Sequence, residues 1–159
     1  MQTIARGIHS AQRSLLHRFA PRRWTIAGGQ LVVSSDIREL SPLQRDILLN
    51  TELLGVFNDS LKTPGTLVHG MDQLGTGISV WSRPLDGGCV AVGVLNGGNT
   101  TVVATTVELT WLPGDWDNST RVSVRDMWAH TDLPRGTGNV TVASLSPHAT
   151  TALRLCRVA

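Results

Sequence analysis

From residue 65 onward the chain is a succession of short apolar-polar runs cut by glycine and proline turns, and this punctuation narrows the fold more than any other feature. "ISVWSRPL" (78–85) alternates apolar and polar residues, the two-residue period of a half-buried strand. "DGG" (86–88) follows as a tight hairpin signal, and "CVAVGVLN" (89–96) reads as the buried return strand. "TTVVATTVEL" (100–109), "RVSVRDMW" (121–128), "NVTVASLS" (139–146) and "ATTALRLCRV" (149–158) continue the series, and "TLVHGM" (66–71) supplies one more strand. Strands at this spacing between Gly and Pro turns indicate an antiparallel β-sandwich over 61–159. About 90 residues is enough for such a unit to bury its own core.

The preceding stretch has another texture. "WTIAGGQLVVSS" holds a short buried strand at 30–34, and "ELSPLQRDILL" opens a helix. Ser41 is a good N-cap, Pro42 suits the first helical position, and Gln44 completes a capping box. "TELLGVFND" adds a second short helical turn, expected to stop at Gly55. One strand, one helix and a connector over 24–60 cannot form a domain, because a parallel strand needs neighbours on both sides. Residues 1–23 place Ile4, Ile8, Leu15 and Phe19 at helical spacing among five arginines and no acid. This is the pattern of a targeting-like segment, or equally of a basic surface helix.

Several function classes drop out. No apolar run approaches a membrane span. The basic N-terminus lacks the interleaved aromatics of a nucleic-acid module, so no nucleic-acid partner is expected. Cys89 and Cys156 are too few for a disulfide framework and have no zinc-like spacing; each sits in an apolar run and reads as a small buried thiol rather than half of a bridge. No metal site and no cofactor is expected. Four of the six asparagines, Asn58, Asn99, Asn118 and Asn139, stand in N-glycosylation sequons, which leans toward a secretory route.

The residues then become specific. Trp24, Gly28-Gly29, Gln30-Leu31, Val32-Val33, Ser34, Asp36-Ile37-Arg38 and Ser41 follow one another in a pattern that resembles the last barrel strand and exit loop of glycoside hydrolase family 27, the α-galactosidases and α-N-acetylgalactosaminidases. "ILLNTELLGVFND" (47–59) looks like the stretch closing that barrel. "ISVWSRPLDGGCVAVGVLN" is similar to the family's C-terminal signature hairpin, and "VRDMW" (124–128) and "LSPHATTALRL" (145–155) to later strands of its sandwich. The resemblance implies a mainly β chain, in which a C-terminal antiparallel β-sandwich follows the last strand-helix unit of a (β/α)8 barrel. It implies an α-galactoside as the parent enzyme's carbohydrate partner, and a secreted, lysosomal or vacuolar location; it leaves homodimer formation open. Retaining glycosidases need two carboxylates about 5 Å apart. In the family the nucleophile lies in a Lys-Tyr-Asp motif, but this chain has no tyrosine and its single lysine, Lys62, sits in "LKTPG". No catalytic residue is therefore assigned, and the chain reads as a fragment inactive alone. The alternative is a non-catalytic sandwich module that binds glycans or a partner protein.

The remaining candidates weigh toward structure. Asp36 and Glu39 form an acidic pair at a strand exit, yet three residues apart on one segment they do not face each other as catalytic carboxylates do. His148, two residues from Ser146, has no third triad member and reads as a turn histidine leading into an edge strand. Arg125 and Asp126 read as a polar pair under Trp128. Trp111 and Trp116, flanking "LPGD", are the surviving sugar-stacking candidates, with packing over the sandwich edge as the competing role.

Overall fold

The computed structural model describes residues 26, 28, 36–70 and 77–158. The expected strand at 30–34 and the basic segment 1–23 lie outside the described residues. Eight strands form one antiparallel sheet: β1 (Thr66–Gly70), β2 (Ile78–Pro84), β3 (Cys89–Asn96), β4 (Thr105–Glu108), β5 (Arg121–Asp126), β6 (Thr131–Thr137), β7 (Asn139–Val142) and β8 (Thr150–Arg157). Their order is β1-β2-β3-β8-β5-β6-β7-β4. Among the described residues two α-helices, α1 (Pro42–Leu48) and α2 (Thr51–Phe57), precede them.

The sheet becomes a sandwich at one corner. β6 and β7 share a single residue pair, Thr137↔Asn139, and the bend is made at Gly138, whose φ of +69° suits glycine. A Cβ there would lie 2.6 Å from the Asn118 carbonyl oxygen, so only glycine fits the corner. Beyond it the β7–β4 ribbon lies over the six-stranded layer. Val107, Val140 and Val142 of the ribbon share one buried cluster with Val80, Val90, Val92, Val94, Val122, Val124, Leu153 and Leu155.

The alternation along β3 then determines what each face receives. Val90, Val92 and Val94 point into this core, while Cys89 and Ala91 point to the opposite face. There Leu53 and Val56 of α2 pack against Leu85, Ala91, Met127 and Ala152. Ala91 and Ala152 leave room on this face for the α2 side chains, and burying each of the two large ones contributes roughly 1.5–3 kcal/mol. Gly93, on the same face, is backed by Ile26: an added Cβ would come within 2.6 Å of its Cδ1.

Asn50 joins helix to sheet. Its Oδ1 accepts from the Glu52 and Leu53 N–H groups at 3.1 and 3.0 Å, capping α2, while its Nδ2 donates to the Met127 carbonyl at 2.8 Å. In α1 the expected capping box forms, with Gln44 N–H donating to Ser41 Oγ and Ser41 N–H to Gln44 Oε1.

Several expectations are corrected. The α2 helix runs through Gly55 to Phe57, because Gly55 faces open solvent while Leu53 and Val56 are held by the sheet. β6 was not expected: "TDLPRGT" contains Pro134 and Gly136, is almost wholly exposed, and pairs with β5 through a register shift. A strand with no buried face carries no hydrophobic alternation to read. Only Thr105–Glu108 of 100–109 is strand, with Val102 bridged to Leu145 and Val103 80% exposed. β8 is central, between β3 and β5, so His148 does not lead into an edge strand.

The cysteines are the largest correction. Cys89 and Cys156 are not thiols but a disulfide. The β3–β8 register sets them opposite each other with Cα atoms 4.3 Å apart, the spacing of a close cross-strand pair. Each apolar run alone says nothing of that register.

Candidate functional site

Asp36, the acid at the expected strand exit, clasps its own neighbour. Its Oδ1 accepts from Arg38 N–H at 2.9 Å and from Arg38 Nε at 3.0 Å, and its Oδ2 from Nη2 at 2.7 Å. The Arg38 guanidinium holds the Asp36 carboxyl below its ordinary range. Both residues are exposed, and with Glu39 they form a single helical turn, Ile37–Glu39, that includes no buried side chain. An acid stabilised as an exposed carboxylate by an adjacent arginine is a poor general acid.

Arg125 and Asp126 do not pair as expected, because adjacent strand residues point to opposite faces. Asp126 Oδ1 accepts from Trp128 and Ala129 N–H groups at 2.8 and 3.0 Å, closing the turn into β6. Arg125 reaches instead to α2: its Nη2 donates to Glu52 Oε1 at 2.8 Å, its Nε to both Glu52 oxygens at 3.2 Å, and its Nη1 to Asp132 at 3.2 Å. His130 Nδ1 stands 2.8 Å from the same Glu52 oxygen. These groups converge across 73 to 78 residues of sequence, which is why no local motif discloses them; a carboxylate in the first turn of a helix was the only signal.

The Arg125 hydrogen bonds, helped by His130, hold Glu52 at about pKa 2 against an ordinary 4.5. A depressed carboxylate contributes its stability in full above the unfolded value and loses it as pH falls through the folded one. Glu52→Gln is expected to cost about 1–2 kcal/mol at neutral pH, discounting the shift for solvent screening of a partly exposed pair. That deficit against wild type should shrink between pH 4.5 and 2, read from urea midpoints across this range. A deficit independent of pH would mean that packing, not ionisation, is lost.

The two tryptophans are both engaged. Trp116 is buried, its Nε1 donates to the Pro113 carbonyl at 2.9 Å, and the Arg157 guanidinium lies 4.9 Å from its ring centre. Arg157 also donates to the Asp115 carbonyl, fixing the loop to the end of β8. Trp111 is half-buried and stacks flat on His69 of β1, with ring centres 3.8 Å apart and planes 2° from parallel. His148 sits at φ +58° in a tight turn where Ala149 N–H donates to the Ser146 carbonyl. The sequon asparagines Asn58, Asn99, Asn118 and Asn139 are all exposed. Among the described residues no three His, Cys, Asp or Glu side chains converge as a metal site, and no helix is long and apolar enough to cross a membrane.

The fold thus defines an antiparallel β-sandwich in which the polar groups described above hold its own elements together. Residues 75–155 match the family described as the α-galactosidase C-terminal β-sandwich domain. The chain is 31% identical over 125 residues to an α-galactosidase of Oryza sativa subsp. japonica, covering 79% of this chain and 28% of that protein. It is 30% identical over 120 residues to one of Coffea arabica, covering 76% and 30%. Among solved structures, α-galactosidase I from Mortierella vinacea superposes with a TM-score of 0.75 at 20% identity, over 84% of this chain and 33% of that one. The Saccharomyces cerevisiae α-galactosidase with raffinose gives 0.73 at 15%, over 86% and 42%. The chain belongs to the α-galactosidase C-terminal β-sandwich family and corresponds to the C-terminal part of a glycoside hydrolase family 27, α-galactosidase-like enzyme. It spans under a third of the length of these plant relatives.

Proposed function

We propose that this chain is the accessory C-terminal module of a retaining α-galactosidase-like glycosidase and does not hydrolyse α-galactosides by itself. The observation that carries this reading is the family match over 75–155 in a chain with no tyrosine for a Lys-Tyr-Asp nucleophile segment. The engagement of Asp36 by Arg38 supports it, since the acid best placed for catalysis is spent on a local turn. Residues 24–60 are then the last strand-helix unit of a barrel, with α2 as the part that rests on the sandwich.

Through Asn50, Glu52 and the apolar pair Leu53 and Val56, α2 couples barrel end to sandwich. The module's contribution to catalysis is mechanical: it holds the end of the barrel whose strand exits would carry the site. A secreted or lysosomal setting is supported by the Cys89–Cys156 disulfide, which persists in oxidising compartments. A separate sugar-binding role draws less support, because the Trp116 ring is buried and one face of Trp111 is covered by His69.

The test is direct. The purified chain should show no turnover of a chromogenic α-galactoside above buffer. Turnover abolished by Asp36→Asn would overturn the reading and make that acid catalytic.

A further inference from the structure

The sandwich layers are unequal, and the mismatch leaves space. Six strands lie on one side and the two-stranded β7–β4 ribbon on the other. At about 4.8 Å per strand the ribbon cannot cover the wider layer. Leu109, Leu112 and Trp116 fill part of the gap. Elsewhere, between β6 and β7, a cleft of about 820 Å³ remains, with Leu133, Val142, Leu145 and Leu153 among its walls and Asn139 and Thr141 on its lining. Leu133 is 37% exposed there.

An added peptide strand is a poor occupant. The open edge of β6 carries Pro134, which has no N–H to offer, a register shift against β5, and the charges of Asp132 and Arg135. These are the devices that discourage edge pairing.

We infer that the cleft is covered by a glycan carried on Asn139. Asn139-Val140-Thr141 is a sequon lying along β7, and its burial alternates: Asn139 and Thr141 are exposed while Val140 and Val142 point into the core. The acceptor amide and the sequon hydroxyl therefore belong to exposed residues of β7 that both line the cleft beside its barely paired edge, and neither is held by a hydrogen bond within the described residues. The other sequons differ. The Ser60 hydroxyl donates to Asp86, and Thr120 Oγ1 is held between the Asp117 carboxylate and N–H. Asn99 lies on the exposed β3–β4 connection, away from the cleft.

In the modification, Asn139 Nδ2 bonds to C1 of the N-acetylglucosamine at the reducing end of a polyprenyl-pyrophosphate-linked oligosaccharide. The C1–O bond to the pyrophosphate breaks, the lipid pyrophosphate leaves, and the amide loses one proton. The sugar ring is amphipathic: one face and its acetamido methyl cover Leu133, and its hydroxyls remain in water, removing exposed apolar surface. The inference rests on the secretory setting proposed above.

The full chain, secreted from a glycosylating eukaryotic host behind an appended leader, separates the two, because the leader supplies the compartment. Peptide mapping should find Asn139 occupied. Asn139→Gln and, independently, Thr141→Val should each raise binding of an apolar fluorescent dye about threefold, while Asn99→Gln should leave it unchanged. Thr141→Val keeps a β-branched residue, so it reads the glycan even where Asn139→Gln disturbs the corner. An unmodified Asn139 in the secreted protein overturns the inference, as does dye binding that rises equally for Asn99→Gln or not at all.

Discussion

Cys89→Ala with Cys156→Ala, or reduction of the wild-type bridge, is expected to cost about 4.4 kcal/mol of stability, the loop-closure value for partners this far apart. The bridge spans 67 residues of sequence and joins β3 to β8, two neighbouring interior strands. For a domain of this size the midpoint of thermal unfolding should fall by about 10 °C. Circular dichroism melts with and without a thiol reductant measure it, and the reduced wild type should match the double variant. Coincident melts for oxidised and reduced protein would overturn this expectation by showing that the bridge does not restrict the unfolded chain.

A second large effect is expected at Asn96, the last residue of β3. Its Nδ2 donates to the carbonyls of Thr100, Leu145 and Ser146 at 2.8, 3.0 and 3.1 Å, and its Oδ1 accepts from Gly98 N–H at 3.0 Å. The side chain is 1% exposed. It therefore ties the β3–β4 turn to the segment after β7, across the two layers. Asn96→Asp sets a carboxylate oxygen against three carbonyl oxygens, and should cost about 4 kcal/mol or prevent folding near neutral pH. Asn96→Leu leaves the same carbonyls without a donor and should cost about 3 kcal/mol. The two are told apart by acid. As pH falls toward about 4 the buried Asp side chain, its pKa raised by burial and the facing carbonyls, takes up a proton it can donate, and the variant should recover part of its stability, whereas the Leu variant should not. Denaturant midpoints at pH 7 and pH 3.5 read both effects. A cost under about 1 kcal/mol for Asn96→Asp would mean that water, not Asn96, satisfies those carbonyls.

Neither effect is visible in the sequence, although both residues sit inside its most readable strand. "CVAVGVLN" corresponds to β3 residue for residue, because a strand buried on both faces leaves an unbroken apolar run between turns. β2 and β8 were legible for related reasons, and the Ser41-Pro42-Gln44 cap was legible because its hydrogen bonds close within four residues. β6 was not, since it buries almost nothing. The Glu52–Arg125–His130 junction was hidden differently, by a separation that no local window contains.

What the sequence by itself determined is therefore the local chemistry: which runs become strands, where turns fall, how α1 begins, and the family to which their order belongs. Those features depend on periodicity and on hydrogen bonds between near neighbours. The tertiary structure decided the rest. Register paired Cys89 with Cys156, the corner at Gly138 folded β7 and β4 over the core, and the docking of α2 brought Glu52 to Arg125. Each is a meeting of groups distant in the chain, and its free energy exists only once the layers have assembled.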